Sequence, residues 1–285
     1  MKKISVFGST GFIGSRFCEM YPDDVIPIDR DQNYSQSKDI LYLISTTHNY
    51  NLLQKDVEVN LGKLSRVLST LNFDVTFNYI SSWFVYPPDT KLPAKESDDQ
   101  DGWPQGNYAL TKAFAEELVI QYCRRESIPY RIFRLANVFG KGDNFSRQKN
   151  ALQYLINKMK HNRDIELDCG GEFYRDYIWV DEICRMLMEG IEKLPVNDIY
   201  NAGSGQRFLF KDLILLAHNV LDSKSVINFL APKRELVNQA LYISTVRYVE
   251  FPVKDFYMDV SKINSSGIKM QGSVYEQLVR MILDG

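Results

Sequence analysis

The sequence predicts an α/β fold: a parallel sheet wound on both faces by helices, joined to a smaller α/β unit in the second half of the chain. Two observations carry this. Through the first 136 or so of the 285 residues, apolar runs of strand length alternate with stretches of helical spacing. Strands that alternate with helices form parallel sheets covered on both sides. Three glycines, Gly8, Gly11 and Gly14, directly follow the first apolar run and start the first helix. In open α/β sheets, ligands bind at that edge, beyond the carboxyl ends of the strands.

Taken in order, ISVFG (residues 4–8) reads as a strand and GFIGSRFCEMY (11–21) as a helix opening. VIPID (25–29) and ILYLIST (40–46) are the second and third strands. VEVNLGKLSRVLSTL (57–71) has helical spacing, TFNYISSWFVY (76–86) is strand-like, and a helix beginning near Tyr108 follows. YRIFRLANVFG (130–140) reads as one further strand. Beyond Asn137 the pattern loosens into a helix (ALQYLINKMK), a strand (IELDCG), a helix (DEICRMLMEGI), the strand-like IYNAGS, and mixed pieces from Phe208 onward. The expected division is residues 1–136 with roughly 176–203 in a dinucleotide-binding unit, and 137–175 with 204–285 in a second unit. The acidic, proline-bearing stretch 87–103 reads as a long loop, and long loops in compact domains are more often functional than idle.

Composition narrows the function classes. A net charge of −2, from 34 basic and 36 acidic residues, offers no electrostatic basis for binding nucleic acid or an anionic membrane. Phosphate recognition therefore has to come from a few placed groups. Cys18, Cys123, Cys169 and Cys184 show no metal-like spacing among themselves or with the three histidines, so free thiols in a reducing compartment and no metal site are expected. The opening MKKISVFGSTG is too short in apolar residues for a secretory signal, and no run reaches membrane-spanning length. A cytoplasmic location is expected.

Gly8 permits a tight turn, Gly11 lets backbone N–H groups approach a pyrophosphate, and Gly14 lets helix and strand pack closely. Gly8, Gly11, Phe12, Ile13 and Gly14 are expected to bind the cofactor. Asp29, at the end of the second strand, is placed to accept hydrogen bonds from a ribose diol. It would repel a 2′-phosphate and so favours NAD; Arg30 beside it could receive that phosphate and leaves NADP open. In GNYALTKAFAEELVIQYC (106–123), Tyr108 and Lys112 lie one turn apart on one helix face. Taken alone, that pair fits a half-buried ring beside a snorkelling ammonium equally well.

These glycines, Ser81-Ser82-Trp83-Phe84-Val85-Tyr86 and the Tyr108/Lys112 pair occur in the order found in the extended short-chain dehydrogenase/reductases. More narrowly, the chain resembles the NAD-dependent epimerase/dehydratase family that acts on nucleotide sugars. Arg134-Leu-Ala-Asn137-Val-Phe-Gly140, the block from Tyr174 to Asp181, Asn201-Ala-Gly-Ser-Gly and Met258-Asp259-Val-Ser-Lys262 are similar to later markers of that family. The resemblance implies a Rossmann-type doubly wound sheet with a smaller C-terminal substrate domain. It implies that Tyr108 donates and accepts a proton at a sugar hydroxyl or carbonyl, with Ser82 bonded to the same oxygen. Lys112, together with an oxidised nicotinamide, would lower the Tyr108 pKa and hold the nicotinamide ribose.

Dehydratases of the family carry an Asp-Glu pair after the catalytic Ser/Thr, and some epimerases carry a Cys there with a downstream His. Here those positions are Trp83 and Phe84, and residues 145–154 contain no His. The resemblance therefore implies plain hydride chemistry, as a 4-epimerase or 4-ketoreductase of a nucleoside-diphosphate sugar. On the substrate side it nominates Asn137, Arg175 and Arg247, with Arg175 taking a diphosphate; a salt bridge to Asp176 or Asp181 is the competing reading. Trp83 and Trp103 could line the sugar pocket or serve packing. Only about ten residues separate Asp29 from the third strand, so one edge strand–helix unit of the family is missing. A homodimer through the Tyr108 helix is implied too, although the apolar positions of AFAEELVIQYC serve equally to face the sheet. A non-catalytic dinucleotide sensor or scaffold, and a reductase of a non-sugar ketone, are the alternatives.

Overall fold

The structure is a computed structural model that describes residues 3–47, 52–72, 74–98, 104, 106–142, 150–231 and 254–284. Strand β1 (Ile4–Phe7) leads through the glycine turn into α1 (Phe12–Met20), followed by β2 (Val25–Ile28) and β3 (Asp39–Tyr42). All four residues of β1 and of β3 are buried, as expected for inner strands of a parallel sheet with both faces covered. Next come α2 (Leu53–Asp56), a π-helical stretch (Val57–Lys63), α3 (Leu64–Leu68), β4 (Thr76–Ser82), a 3₁₀ turn (Trp83–Val85) and α4 (Asn107–Arg125). The chain continues through β5 (Tyr130–Leu135), β6 (Asn137–Phe139), α5 (Ala151–Lys160), β7 (Ile165–Leu167), β8 (Tyr174–Arg175), β9 (Tyr177–Trp179), α6 (Val180–Lys193) and β10 (Asp198–Ala202). It closes with β11 (Phe208–Leu209), α7 (Phe210–Val220), β12 (Ile227–Phe229), α8 (Ser261–Ser265) and α9 (Val274–Leu283).

Six strands form one parallel sheet in the order β10-β5-β4-β3-β1-β2. From β1 the chain steps outward to β2 and then returns to the other side of β1 at β3. The strand order therefore reverses at β1/β3, and the crevice beyond the carboxyl ends of these strands is the expected ligand position. Residues 29–38 join β2 to β3 with no helix, which leaves β2 at the edge. The narrowed sheet expected from the short Asp29-to-β3 spacing is thus observed. Apolar side chains pack on both faces: Phe17, Ile183, Leu187 and Phe133 belong to one core, Leu64, Val67, Tyr42, Tyr79 and Val119 to the other.

Three expected elements differ. The helix expected over 57–71 begins at Leu53 and is π-helical in its middle. The wider turn carries Asn60 inward, to 1% exposure, and single π-helical turns of this kind are frequent at functional sites. The strand expected over 76–86 ends at Ser82, where the Ser82 hydroxyl caps the 3₁₀ turn by accepting from the Phe84 N–H. The run 130–140 divides: β5 stays in the main sheet while β6 pairs in parallel with β9. Ala136 stands between them and hydrogen-bonds to the Ala202 carbonyl at 3.0 Å. The run shows no turn signal where it changes sheets, so residue type alone does not mark the division.

Outside the main sheet, β8 pairs antiparallel with β11, and β7 in parallel with β12. A buried ion pair, Arg134 to Glu116 at 2.7 Å, fastens α4 to β5. Arg16 on α1 is held by Asp181 on α6 through two bonds of 2.6 and 2.8 Å.

Candidate active site

The glycine turn is built as its spacing requires. Gly8 has φ +85°, in the region that side-chain-bearing residues avoid, and its carbonyl accepts the Gly11 N–H at 2.9 Å. A Cβ on Gly14 would lie 2.2 Å from the Gly8 carbonyl oxygen, so the close approach of helix and turn depends on glycine. Gly11 is exposed at the start of α1, the end of a helix that favours negative charge. Gly14→Ala is expected to push α1 off the turn. It should lower the melting temperature and abolish dinucleotide binding, both readable by thermal unfolding with and without NAD(H).

Asp29 and Arg30 are exposed just past β2, which puts a carboxylate and a guanidinium at the same rim. The sequence reading missed a third group there. Lys63, from the π-helical stretch, donates to the Arg30 carbonyl at 2.7 Å and brings a second cation to the end of β2.

Strand β4 and helix α4 bring Ser82, Tyr108 and Lys112 together. Ser82 ends β4, and the Ser82 and Ser45 hydroxyls are hydrogen-bond partners of the Tyr108 hydroxyl. The Phe84 ring packs edge-on against the Tyr108 ring at 5.8 Å. Burial pushes the Tyr108 phenol above its ordinary value; the bonds to Ser82 and Ser45 pull it down, and the Asp56 charge pushes it up. The lowering expected of Lys112 and a bound nicotinamide is therefore not what these side chains produce by themselves.

The reason is the orientation of Lys112. It is 1% exposed, and its Nζ donates to the Tyr79 hydroxyl and to the Ile80 carbonyl, both at 2.6 Å. The ammonium is thus seated on β4 rather than on the Tyr108 hydroxyl. Burial pushes it down to about 7, and Glu116 one turn further along α4 opposes that shift.

Behind Tyr108 lies a polar network that the sequence reading did not find. Asn60 accepts from the Ser45 hydroxyl at 3.2 Å and from the Thr46 N–H at 2.9 Å, and donates to the Thr46 and Thr111 hydroxyls, each at 3.0 Å. The Thr46 hydroxyl donates in turn to the Asp56 carboxyl, which burial pushes up. The visible signal was a Ser-Thr pair ending an apolar strand, with an Asn inside a helical run. Neither points anywhere until the π-helical turn aims Asn60 at the strand end.

On the other side of Ser82, the Trp83 ring stacks on Phe84 at 4.0 Å and on Phe256 at 4.4 Å. Its indole N–H donates to Asn137 Oδ1 at 3.2 Å, and Asn137 Nδ2 donates to the Asp176 carbonyl at 3.0 Å. The Arg175 guanidinium lies over the Trp83 ring at 5.4 Å and over Phe173 at 4.9 Å, and bonds to the carbonyls of Tyr174 and Lys254. The salt bridge weighed for Arg175 is absent. Asp176 is taken by the Ser204 N–H and hydroxyl and the Gly205 N–H, and Asp181 by Arg16. Among the described residues no carboxylate forms an ion pair with Arg175, whose pKa burial lowers. Ser82, Tyr108, Trp83, Asn137 and Arg175 are therefore linked through one aromatic stack. Arg247 and Trp103 lie outside the described residues, as does much of the segment 145–154.

Among the described residues no group of His, Cys, Asp or Glu could hold a metal ion, and no helix is long and apolar enough to cross a membrane. All four cysteines are free thiols.

Comparison with known proteins identifies the family and the fold. Residues 56–203 match the family model described as the NAD dependent epimerase/dehydratase family. A dTDP-4-dehydro-6-deoxyglucose reductase of Escherichia coli is 26% identical over 136 residues, a match that spans 48% of this chain and 43% of that protein. A putative UDP-glucose 4-epimerase of Methanocaldococcus jannaschii is 22% identical over 98% of this chain and 97% of its own. Among solved structures, a UDP-glucose 4-epimerase of Thermotoga maritima with UDP-glucose superposes with a TM-score of 0.81 at 18% identity, covering 99% of this chain and 97% of that one. The RMD protein of Pseudomonas aeruginosa complexed with NADPH gives 0.79 at 19% identity, covering 100% and 98%.

Proposed function

The chain belongs to the NAD dependent epimerase/dehydratase family, and on that premise we propose that it is an NAD(P)-dependent nucleotide-sugar oxidoreductase. It transfers hydride at a sugar carbon, C4, as a 4-ketoreductase or 4-epimerase. The observation that carries this reading is the pairing of Ser82 and Tyr108 beneath Trp83 and Phe84. The positions next to the reacting oxygen hold aromatic rings rather than a carboxylate, thiol or imidazole. A site so furnished moves one proton through Tyr108 and lacks, at positions 83 and 84, an acid or base for expelling water or inverting a neighbouring carbon.

A bound nicotinamide dinucleotide supplies the hydride acceptor and donor. Gly8, Gly11, Phe12, Ile13 and Gly14 would hold its pyrophosphate, and Asp29 and Arg30 the adenosine ribose. Lys112 would hold the nicotinamide ribose and keep positive charge near Tyr108. Ser82 orients the sugar oxygen, and Tyr108 gives or takes its proton. Residues 137–175 and 204–285 form the substrate side, with Asn137, Arg175 and Arg247 toward the sugar diphosphate. Likeness to enzymes named for UDP- and dTDP-sugars supports that substrate class. Arg175 supports it from this chain's own residues, as a half-buried cation engaged by carbonyls and rings but in no ion pair with a described carboxylate. The exposed apolar side chains of Leu53, Val57 and Phe114 are where a homodimer would pack.

Titration with UDP, GDP and dTDP by calorimetry tests the substrate class. Arg175→Ala is expected to weaken the preferred nucleotide by about 10- to 100-fold, the loss of a charge-assisted hydrogen-bond pair. Undiminished binding in that variant would overturn the assignment. Mass spectrometry of small molecules released on denaturation separates the two reactions. Near-stoichiometric NAD⁺ indicates the 4-epimerase, and an empty protein that takes up NADH or NADPH indicates the reductase.

A further inference from the structure

We propose that Tyr79 is the positioning residue of the site: its hydroxyl seats the Lys112 ammonium on β4 and keeps that lysine protonated. This rests on the reading of Lys112 as the cation that acts with Tyr108, and on geometry that stands apart from the identity of the substrate.

Lys112 leaves α4 toward the sheet and has two partners, the Tyr79 hydroxyl and the Ile80 carbonyl, each at 2.6 Å. Both come from β4, the strand that ends in Ser82. One strand therefore sets the position of the serine hydroxyl and, three residues earlier, the seat of the ammonium. Tyr79 itself is locked. It is 1% exposed, its ring lies 6.0 Å from that of Tyr42 in a stacked arrangement, and it belongs to the core between the sheet and helices α3 and α4.

The chemistry of the seat matters as much as its position. A carboxylate there would neutralise the ammonium and withdraw its charge from Tyr108. A phenylalanine would leave a buried ammonium with a single carbonyl, and a buried cation short of hydrogen bonds gives up its proton. A phenol does neither, because it accepts a hydrogen bond through a dipole without supplying a charge. Burial, with like-signed contributions from Tyr42, Glu116 and Tyr108, raises the Tyr79 phenol well above its ordinary value, so it remains neutral throughout the working range.

The charged and titratable groups around Lys112 are few. Glu116 on α4 favours its protonated form, but that carboxylate is already bonded to Arg134 on β5. Tyr108 lies one turn back on α4 and Tyr42 on β3 beyond Tyr79. Against the burial of Lys112, the hydroxyl of Tyr79 is thus the one side-chain bond on its ammonium among the described residues.

The test is a titration of Lys112 in the full chain, with no nucleotide or sugar present, by NMR of lysine labelled at Cε and Nζ. The signal is assigned by its absence in Lys112→Met. Tyr79→Phe keeps the ring and removes only the oxygen. It is expected to move the Lys112 midpoint down by about one pH unit or more, the size of one hydrogen bond to a charged group. A folded Tyr79→Phe protein with an unmoved midpoint would overturn the proposal. If that variant does not fold, 3-fluorotyrosine at position 79 keeps the hydroxyl but makes it a weaker acceptor. The midpoint must then fall by a smaller amount, and an unmoved one again overturns the proposal. Failure of the nucleotide titrations would sink the substrate class and leave this result untouched. Conversely, an unmoved Lys112 midpoint leaves nucleotide binding by Arg175 as it was.

Discussion

Lys112→Met is expected to abolish turnover and, at pH 6, to give a protein more stable than the natural one. Both effects follow from the burial of Lys112 together with the role proposed for its ammonium beside Tyr108. Folding lowers the affinity of Lys112 for its proton from the ordinary 10.5 to about 7. Between those values the unfolded chain binds more protons than the folded one, so stability rises with pH across that window. Below pH 7 the full penalty is present, on the order of 4 kcal/mol; approaching pH 10.5 it is relieved. Methionine has similar length and no charge to bury, but it leaves the Ile80 carbonyl and Tyr79 hydroxyl without the lysine, which costs about 1–3 kcal/mol. The expected net gain is about 1–3 kcal/mol at pH 6, shrinking toward zero or reversing by pH 9. Denaturant unfolding at the two pH values measures it. Equal stabilities of the two proteins at pH 6 would show that Lys112 is not a burdened buried cation. Loss of turnover without loss of stability would also separate a chemical role for Lys112 from a packing role.

Glu116→Gln is expected to destabilise the protein by about 3–5 kcal/mol, a fall in melting temperature of roughly 10 °C for a chain of this size. Arg134 and Glu116 side chains are 4% and 6% exposed and meet at 2.7 Å. Burial alone would lower Arg134; the Glu116 charge and hydrogen bonds more than offset it, so its pKa stands raised. Removing the carboxylate's charge leaves a buried guanidinium whose partner among the described residues is Tyr86, with its ring at 4.7 Å and a side-chain hydrogen bond. Replacing both members, as Glu116→Leu with Arg134→Met, should recover most of the loss, because apolar residues of similar volume carry no desolvation penalty there. A double variant no more stable than Glu116→Gln would place the effect in packing rather than charge. Glu116→Gln also removes the charge that favours protonated Lys112, so the Lys112 midpoint should fall with it.

The fold was largely legible because its signals are local. Alternating periods mark strands and helices, and the glycine positions at 8, 11 and 14 carry their own steric reason, confirmed by a turn at φ +85° and a helix that admits no Cβ at Gly14. The short span from Asp29 to Asp39 disclosed the narrowed sheet by length alone. What went unread were events that depend on partners distant in the chain. The run 130–140 gives no sign that β5 and β6 join different sheets, since that choice is made by β4 and β10 on one side and β9 on the other. The π-helical turn at 57–63 is invisible to a search for a 3.6-residue period.

The site divides in the same way. The nomination of Ser82, Tyr108, Lys112 and Arg175 rests on an order of motifs that resembles the family's, since the spacing of any one pair does not suffice. How those groups stand was decided only in three dimensions. Lys112 turns to Tyr79 because β4 presents a hydroxyl and a carbonyl where α4 crosses it. Ser45 reaches Tyr108, and Asn60 reaches Ser45, across strand ends some fifteen or more residues apart. Among the described residues Arg175 forms no ion pair with Glu172, Asp176 or Asp181, because Lys211, the Ser204–Gly205 turn and Arg16 hold those acids. Periodicity and steric rules act over a few residues, so the sequence alone determined the elements and the inventory. Competition for hydrogen-bond partners acts across the whole core, so only the tertiary structure settled charge and orientation.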